Sequence, residues 1–156
     1  MLNLHLKGFE SANDERLRIL DIITNSKDQL VSIGYADVAI ETFYDMFIDL
    51  IENLFNTTNE ELLLSFQESG NSDYYTWFMR LLTAGAIRGQ PDRFLPFLSD
   101  DVNFNAVAMD GNIDKAILTY CQYEVEPMGK ECEQVHITAL AEYLGVVLHI
   151  EYLDGR

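Results

Sequence analysis

Apolar residues along most of this chain recur at helical rather than alternating spacing, and capping residues divide the pattern into segments. Residues 1–9 show no clear period. Ser11-Ala12-Asn13-Asp14-Glu15 then gives a helix start with acidic residues in its first turn, continued by Leu17, Leu20 and Ile23 or Thr24. Residues 27–33 read as a separate short helix closed by Gly34. Asp37 can cap a long helix with Ile40, Phe43, Phe47, Leu50, Ile51 and Leu54 on one face, ended by Asn56-Thr57-Thr58-Asn59.

Residues 60–68 carry Leu62, Leu63 and Phe66, and Ser72-Asp73 starts a helix that runs through Ile87. Pro91 opens a short helix with Phe94, Leu95, Phe97 and Leu98, after which residues 99–112 turn to Asp, Asn and small residues and read as an exposed loop or insertion. Helices are expected again at 113–123 and 132–144, separated by a Pro-Gly turn at 124–130 and stopped by Gly145. Residues 146–152 (VVLHIEY) form the one convincing strand. A lone strand cannot satisfy its own ladder of backbone groups, so the expectation is a marginal monomer that self-associates through this edge or needs further strands.

The length of 156 residues suits one domain burying roughly two thirds of its unfolded surface. The 26 acidic residues outweigh ten basic ones, which never cluster, giving a formal charge of -16. Nucleic acid is therefore not an expected partner, because counterion release needs a grouped Lys/Arg surface. Basic protein surfaces suit this charge better. No run approaches the ~20 apolar residues of a membrane helix. Two cysteines, Cys121 and Cys132, without a leading apolar signal segment, read as reduced thiols in the cytoplasm or nucleus.

Thiol chemistry would require one of these cysteines beside an imidazole or a helix N-terminus. Cys132 and His136 stand at i and i+4 and would share a face of a helix starting at 132. Cys121 reads as a small buried hydrophobe and His149 as a strand-face residue. The three histidines and two cysteines show no four-ligand metal spacing, and no cofactor or metal is expected.

The segments SDYYTWFMRLLTAGAIRGQPDRFLPFL (72–98) and EVEPMGKECEQVHITAL (124–140) carry a resemblance. Ser72-Asp73-Tyr74, Arg80-Leu81-Leu82-Thr83 with Gly85, Phe94 with Phe97, Glu126-Pro127-Met128, and His136-Ile137 with Ala139-Leu140 together resemble the otubains, ovarian-tumour-type cysteine proteases that remove ubiquitin. Residues 27–50 follow the same family's short helix, Gly-aromatic break and long helix, so the likeness covers about 27–154.

The resemblance implies an α+β fold: the mostly helical subdomain of an otubain-type cysteine protease with the first strand of its sheet at the C-terminus. It implies deubiquitinase parentage, acting on polyubiquitin through a Cys-His-Asp site. The family's Asp-Gly-Asn-Cys-Phe-Tyr and Gly-His-Tyr-Asp motifs are not found, and Asp110-Gly111-Asn112 is followed by Ile113, so no catalytic residue is assigned. The chain is expected to be inactive alone, as a truncated product, an incomplete gene model or a degenerate paralogue. Two other readings stand beside it: a non-catalytic regulator binding ubiquitin or a ubiquitin-conjugating enzyme, and an acidic helical adaptor unrelated to ubiquitin. For ubiquitin contact the resemblance singles out Glu131, Glu133, Gln134 and His136, with Phe94 and Phe97 as either anchors or core.

Overall fold

The computed structural model describes residues 11–68 and 70–148. Eight α-helices are found among them: α1 (Ala12–Ser32), α2 (Asp37–Glu52), α3 (Asn59–Gln67), α4 (Asn71–Gly89), α5 (Pro91–Leu98), α6 (Val102–Ala108), α7 (Ile113–Tyr120) and α8 (Gln134–Leu144). A π-turn, Cys121–Val125, continues α7.

The 27–33 segment is not a separate helix. It is the end of α1, because the polar break at Asn25-Ser26 is absorbed: Ser26 is buried and its hydroxyl donates to Ile23 O at 2.6 Å. Residues 99–112 also differ from the expected loop. Asp101 accepts from the Phe104 amide at 2.7 Å and starts α6, whose Phe104 is buried in the core. Two turns with one apolar anchor are too short to show a period.

The α+β expectation is corrected. Among the described residues every regular element is helical, and residues 146–148 are irregular; residues 149–152 lie outside the described chain. The Val146 amide donates to Ala141 O at 3.0 Å and the Gly145 amide to Glu142 O at 3.2 Å, with Gly145 at φ 62°. This is a Schellman cap, which commits the Val146 N–H to ending α8. Val146, Val147 and Leu148 line an apolar groove of about 230 Å³, together with Ile19, Ile51, Phe66 and Met79.

The organising element is α4. From Arg80 to Ile87 every residue is buried, so this stretch has no solvent face. Its first half joins a core of Ile19, Ile23, Leu30, Phe47 and Ile51 from α1 and α2. Its second half joins a core of Phe94, Leu98, Phe104, Ile117, Tyr120 and Ala139 from α5 to α8. Small residues permit this: a Cβ on Gly85 would sit 2.9 Å from Leu30 Cδ2.

Arginines from other elements close several helix C-termini. Arg16 donates to Ile51 O and Glu52 O at 3.5 and 3.4 Å, at the end of α2. Arg18 donates to Leu144 O and Gly145 O at 3.0 and 3.2 Å, at the end of α8, and is paired with Glu15 at 2.5 Å. Arg88 donates to Ile33 O, just past α1. None of α1, α2 and α8 has a basic residue in its own last turn.

Overpacking Gly85 tests the close approach of α1 and α4. Gly85→Leu is expected to lower unfolding free energy by about 1–3 kcal/mol in a urea titration, despite the better helix propensity of leucine.

Candidate functional site

The segment from Cys121 to Gln134 carries Glu131, Glu133 and Gln134, three of the residues expected to make contact, and its shape follows from one irregularity. Asn112 caps α7 by accepting from the Lys115 amide at 3.0 Å. At the far end the Glu126 amide bonds Cys121 O at 2.9 Å, five residues back, which makes the π-turn. Cys121 and Val125 point inward, at 0% and 1% exposure. The chain then reverses through Glu126-Pro127-Met128-Gly129, with Gly129 at φ 83°, a conformation that L side chains rarely adopt.

Five side-chain hydrogen bonds hold this turn. Arg80, on α4, donates from Nη1 to Val125 O at 2.8 Å and from Nη2 to Lys130 O, one carbonyl on either side of the turn. The Lys130 ammonium meets Glu124 Oε2 at 2.7 Å, and Asn103 on α6 donates to the other Glu124 oxygen at 3.0 Å. Tyr35, between α1 and α2, donates its hydroxyl to Glu126 Oε1 and lies under the Arg88 guanidinium at 5.2 Å. Burial, then the Glu126 contact, pushes the Tyr35 hydroxyl well above its ordinary pKa, so it stays a donor.

After the turn, Glu131, Cys132, Glu133 and Gln134 are all exposed. His136 is not, at 3% exposure. Its Nδ1 accepts from the Glu133 amide at 3.2 Å, while Nε2 lies 2.7 Å from the buried Tyr120 hydroxyl. An N–H aimed at Nδ1 leaves the ring proton on Nε2, which then donates to Tyr120. Burial, reinforced by the Arg80 charge, lowers the His136 pKa and keeps the ring neutral. His136 therefore sets the start of α8 from beneath the surface.

Phe94 is also core, at 1% exposure, whereas Phe97 is 56% exposed. Arg93 covers both rings at 5.7 Å and reaches Glu142 on α8 at 2.7 Å, tying α5 to the helix that follows the acidic segment.

The thiols are not brought to a base. Helix α8 begins at Gln134, so Cys132 precedes it and the i, i+4 pairing with His136 does not arise. Burial, followed by the Glu126 charge, pushes the Cys121 thiol up to about 12, which favours the unreactive protonated form. Among the described residues no group of His, Cys, Asp and Glu could hold a metal ion. Asp110-Gly111-Asn112 forms a turn with Gly111 at φ 76° and supplies the α7 cap. His5 and His149 lie outside the described residues.

The family description "Peptidase C65 Otubain" matches residues 6–156. The ubiquitin thioesterase OTUB1 of Homo sapiens, and that of Rattus norvegicus, is 34% identical over 151 residues, covering 96% of this chain and 51% of the relative. The OVARIAN TUMOR DOMAIN-containing deubiquitinating enzyme 1 of Arabidopsis thaliana is 30% identical over 154 residues, covering 96% of this chain and 46% of that protein. In fold, the chain is similar to one in "The structure of h/ceOTUB1-ubiquitin aldehyde-UBC13~Ub", with a TM-score of 0.69 and 22% identity over 83% of this chain and 46% of the other. The chain belongs to the otubain family, peptidase C65. It spans about half the length of the curated relatives that it matches.

The neutral His136 has a measurable consequence. Its folded pKa is depressed below the ordinary 6.5, so the unfolded chain takes up a proton first as pH falls. Its contribution to stability is complete above about pH 6.5 and is lost as pH falls from there towards the folded pKa. His136→Gln keeps an acceptor for the Glu133 amide but does not titrate. Urea titrations from pH 8 to pH 5 are expected to show wild type losing stability relative to this variant below pH 6.5.

Proposed function

We propose that this chain carries the ubiquitin-binding helical part of an otubain-type deubiquitinase, and that by itself it binds ubiquitin without cleaving it. The observation that carries this reading is the exposed Glu131-Cys132-Glu133-Gln134 segment, held between the Arg80-clamped turn and α8. Carboxylates presented on a fixed backbone suit a basic protein surface, because they contact it without further ordering entropy. Exposed Phe97 on α5 is an apolar contact residue in this reading, while Phe94 and His136 support the surface from within. The inactivity is supported by Cys121, buried with a raised pKa, and by His136, whose two ring nitrogens engage Glu133 and Tyr120.

A second partner class is a ubiquitin-charged conjugating enzyme. It is favoured by similar folds in complexes titled with UBC13~Ub and UBCH5B~Ub together with ubiquitin aldehyde. The acidic surface is compatible with both partners.

Titration of isotopically labelled ubiquitin with the chain is expected to shift a contiguous set of ubiquitin resonances. Glu131→Lys with Glu133→Lys should weaken this binding at least about tenfold, since like charges set against a basic patch are unfavourable. Unshifted ubiquitin at millimolar chain would overturn the binding reading. In a separate assay, isopeptide-linked di-ubiquitins are expected to remain intact. Cleavage abolished by Cys132→Ala would show that this exposed thiol is a nucleophile after all.

A further inference from the structure

Arg80 is a cation in a place where the core does not need one. It stands on the all-round buried stretch of α4, at 8% exposure, between apolar neighbours Met79 and Leu81. A leucine or methionine would fill such a position without desolvating a charge, and burying a guanidinium is costly unless its donors are used. Arg80 does not use all of them: Nε is buried without a partner. The donors that are used go to main-chain carbonyls of Val125 and Lys130, 45 and 50 positions away, and both lie at the edges of the Glu126-Pro127-Met128-Gly129 turn.

The surroundings add to the picture. Glu124, Glu126, Glu131 and Glu133 fall within ten residues of one another, and their mutual repulsion favours an open, splayed segment. A buried cation gripping both ends of the turn opposes that splaying. Its fork of N–H groups can span two carbonyls, which the point charge of a lysine cannot do in the same geometry.

We propose that Arg80 is a positioning residue for ubiquitin recognition: by clamping the Val125 and Lys130 carbonyls it fixes the backbone that presents Glu131, Glu133 and Gln134. The inference rests on the ubiquitin-binding reading and assigns its precision to a residue that never reaches the surface. The affinity is therefore set from beneath the contact face, by a group with no ubiquitin contact of its own.

The test compares the full chain with Arg80→Lys, Lys130→Gln and Glu131→Lys, reading ubiquitin affinity by resonance shifts and amide hydrogen exchange along the chain. In Arg80→Lys, loss of the two-carbonyl grip is expected to weaken ubiquitin binding about tenfold, in line with hydrogen bonds to a charged group. Protection should fall at the Glu126 and Glu133 amides, which bond Cys121 O and His136 Nδ1, and remain unchanged in α1 and α2. Lys130→Gln, which removes only the exposed bridge to Glu124, is expected to give a smaller loss of affinity with exchange changes confined to the same residues. Glu131→Lys should weaken binding with protection intact, which separates contact from positioning. Arg80→Lys binding ubiquitin like wild type would overturn the proposal. So would an Arg80→Lys chain that loses protection everywhere while Lys130→Gln leaves affinity and exchange unaltered. Wild-type chain that leaves ubiquitin unshifted would instead sink the underlying reading, whatever the exchange pattern shows.

Discussion

Helix C-termini concentrate partial negative charge on unpaired carbonyls, and here they do so in a chain with 26 acidic and ten basic residues. The arrangement depends on sending scarce guanidinium groups to those carbonyls from other elements. Arg16 reaches the end of α2, Arg18 the end of α8, Arg88 the residue after α1, and Arg80 the end of the π-turn. Each bond joins segments far apart in sequence, so the same contact that satisfies a helix end also fixes how two helices meet. Uncapped, these termini would add to the repulsion of the surrounding carboxylates. Capped, they become the joints of the fold.

The apolar layers are built around the same joints. Helix α4 has no solvent face from Arg80 to Ile87 and must be covered on all sides, which α1 and α2 do at one end and α5 to α8 at the other. Arg80 and Arg88 both project from that covered helix, one towards the turn after α7 and the other towards the end of α1. The element that holds the cores together is thus also the one that places the acidic segment, so packing and the presentation of that segment share a backbone.

Much of this was legible in the sequence, and the exceptions have physical causes. Long periodic stretches such as α2 and α4 announce themselves through apolar spacing, and Pro91 and Gly145 mark real boundaries. The continuity of α1 into residues 27–32 is hidden because polar Ser26 is buried with its hydroxyl bonded back to its own helix, and α6 is hidden by its brevity. The strand at 146–152 reflected β-branched composition, which cannot reveal that the Val146 amide is already committed to a helix cap. In the site, Glu131, Glu133 and Gln134 lie exposed as polar residues beside a turn should. His136 lies inward because it shares the buried face of α8 with Val135 and Ala139, where its ring nitrogens meet the Glu133 amide and the Tyr120 hydroxyl. The role of Arg80 had one faint signal, a charge inside an apolar run, and its partners lay too far along the chain for spacing to find.

The π-turn at Cys121–Val125 amounts to one residue more than a regular helix would use over the same path. Successive residues of an α-helix are rotated by about 100° from one another, so that extra residue turns everything after it by the same angle. Deleting any single residue there would let the backbone relax into ordinary helix, yet the reversal at Gly129 would then leave in another direction, away from α4. Length is what these five positions must preserve, together with the small apolar side chains that Cys121 and Val125 bury. Substitutions at outward-facing Gln122 and Tyr123 are tolerable in a way that a one-residue gap is not.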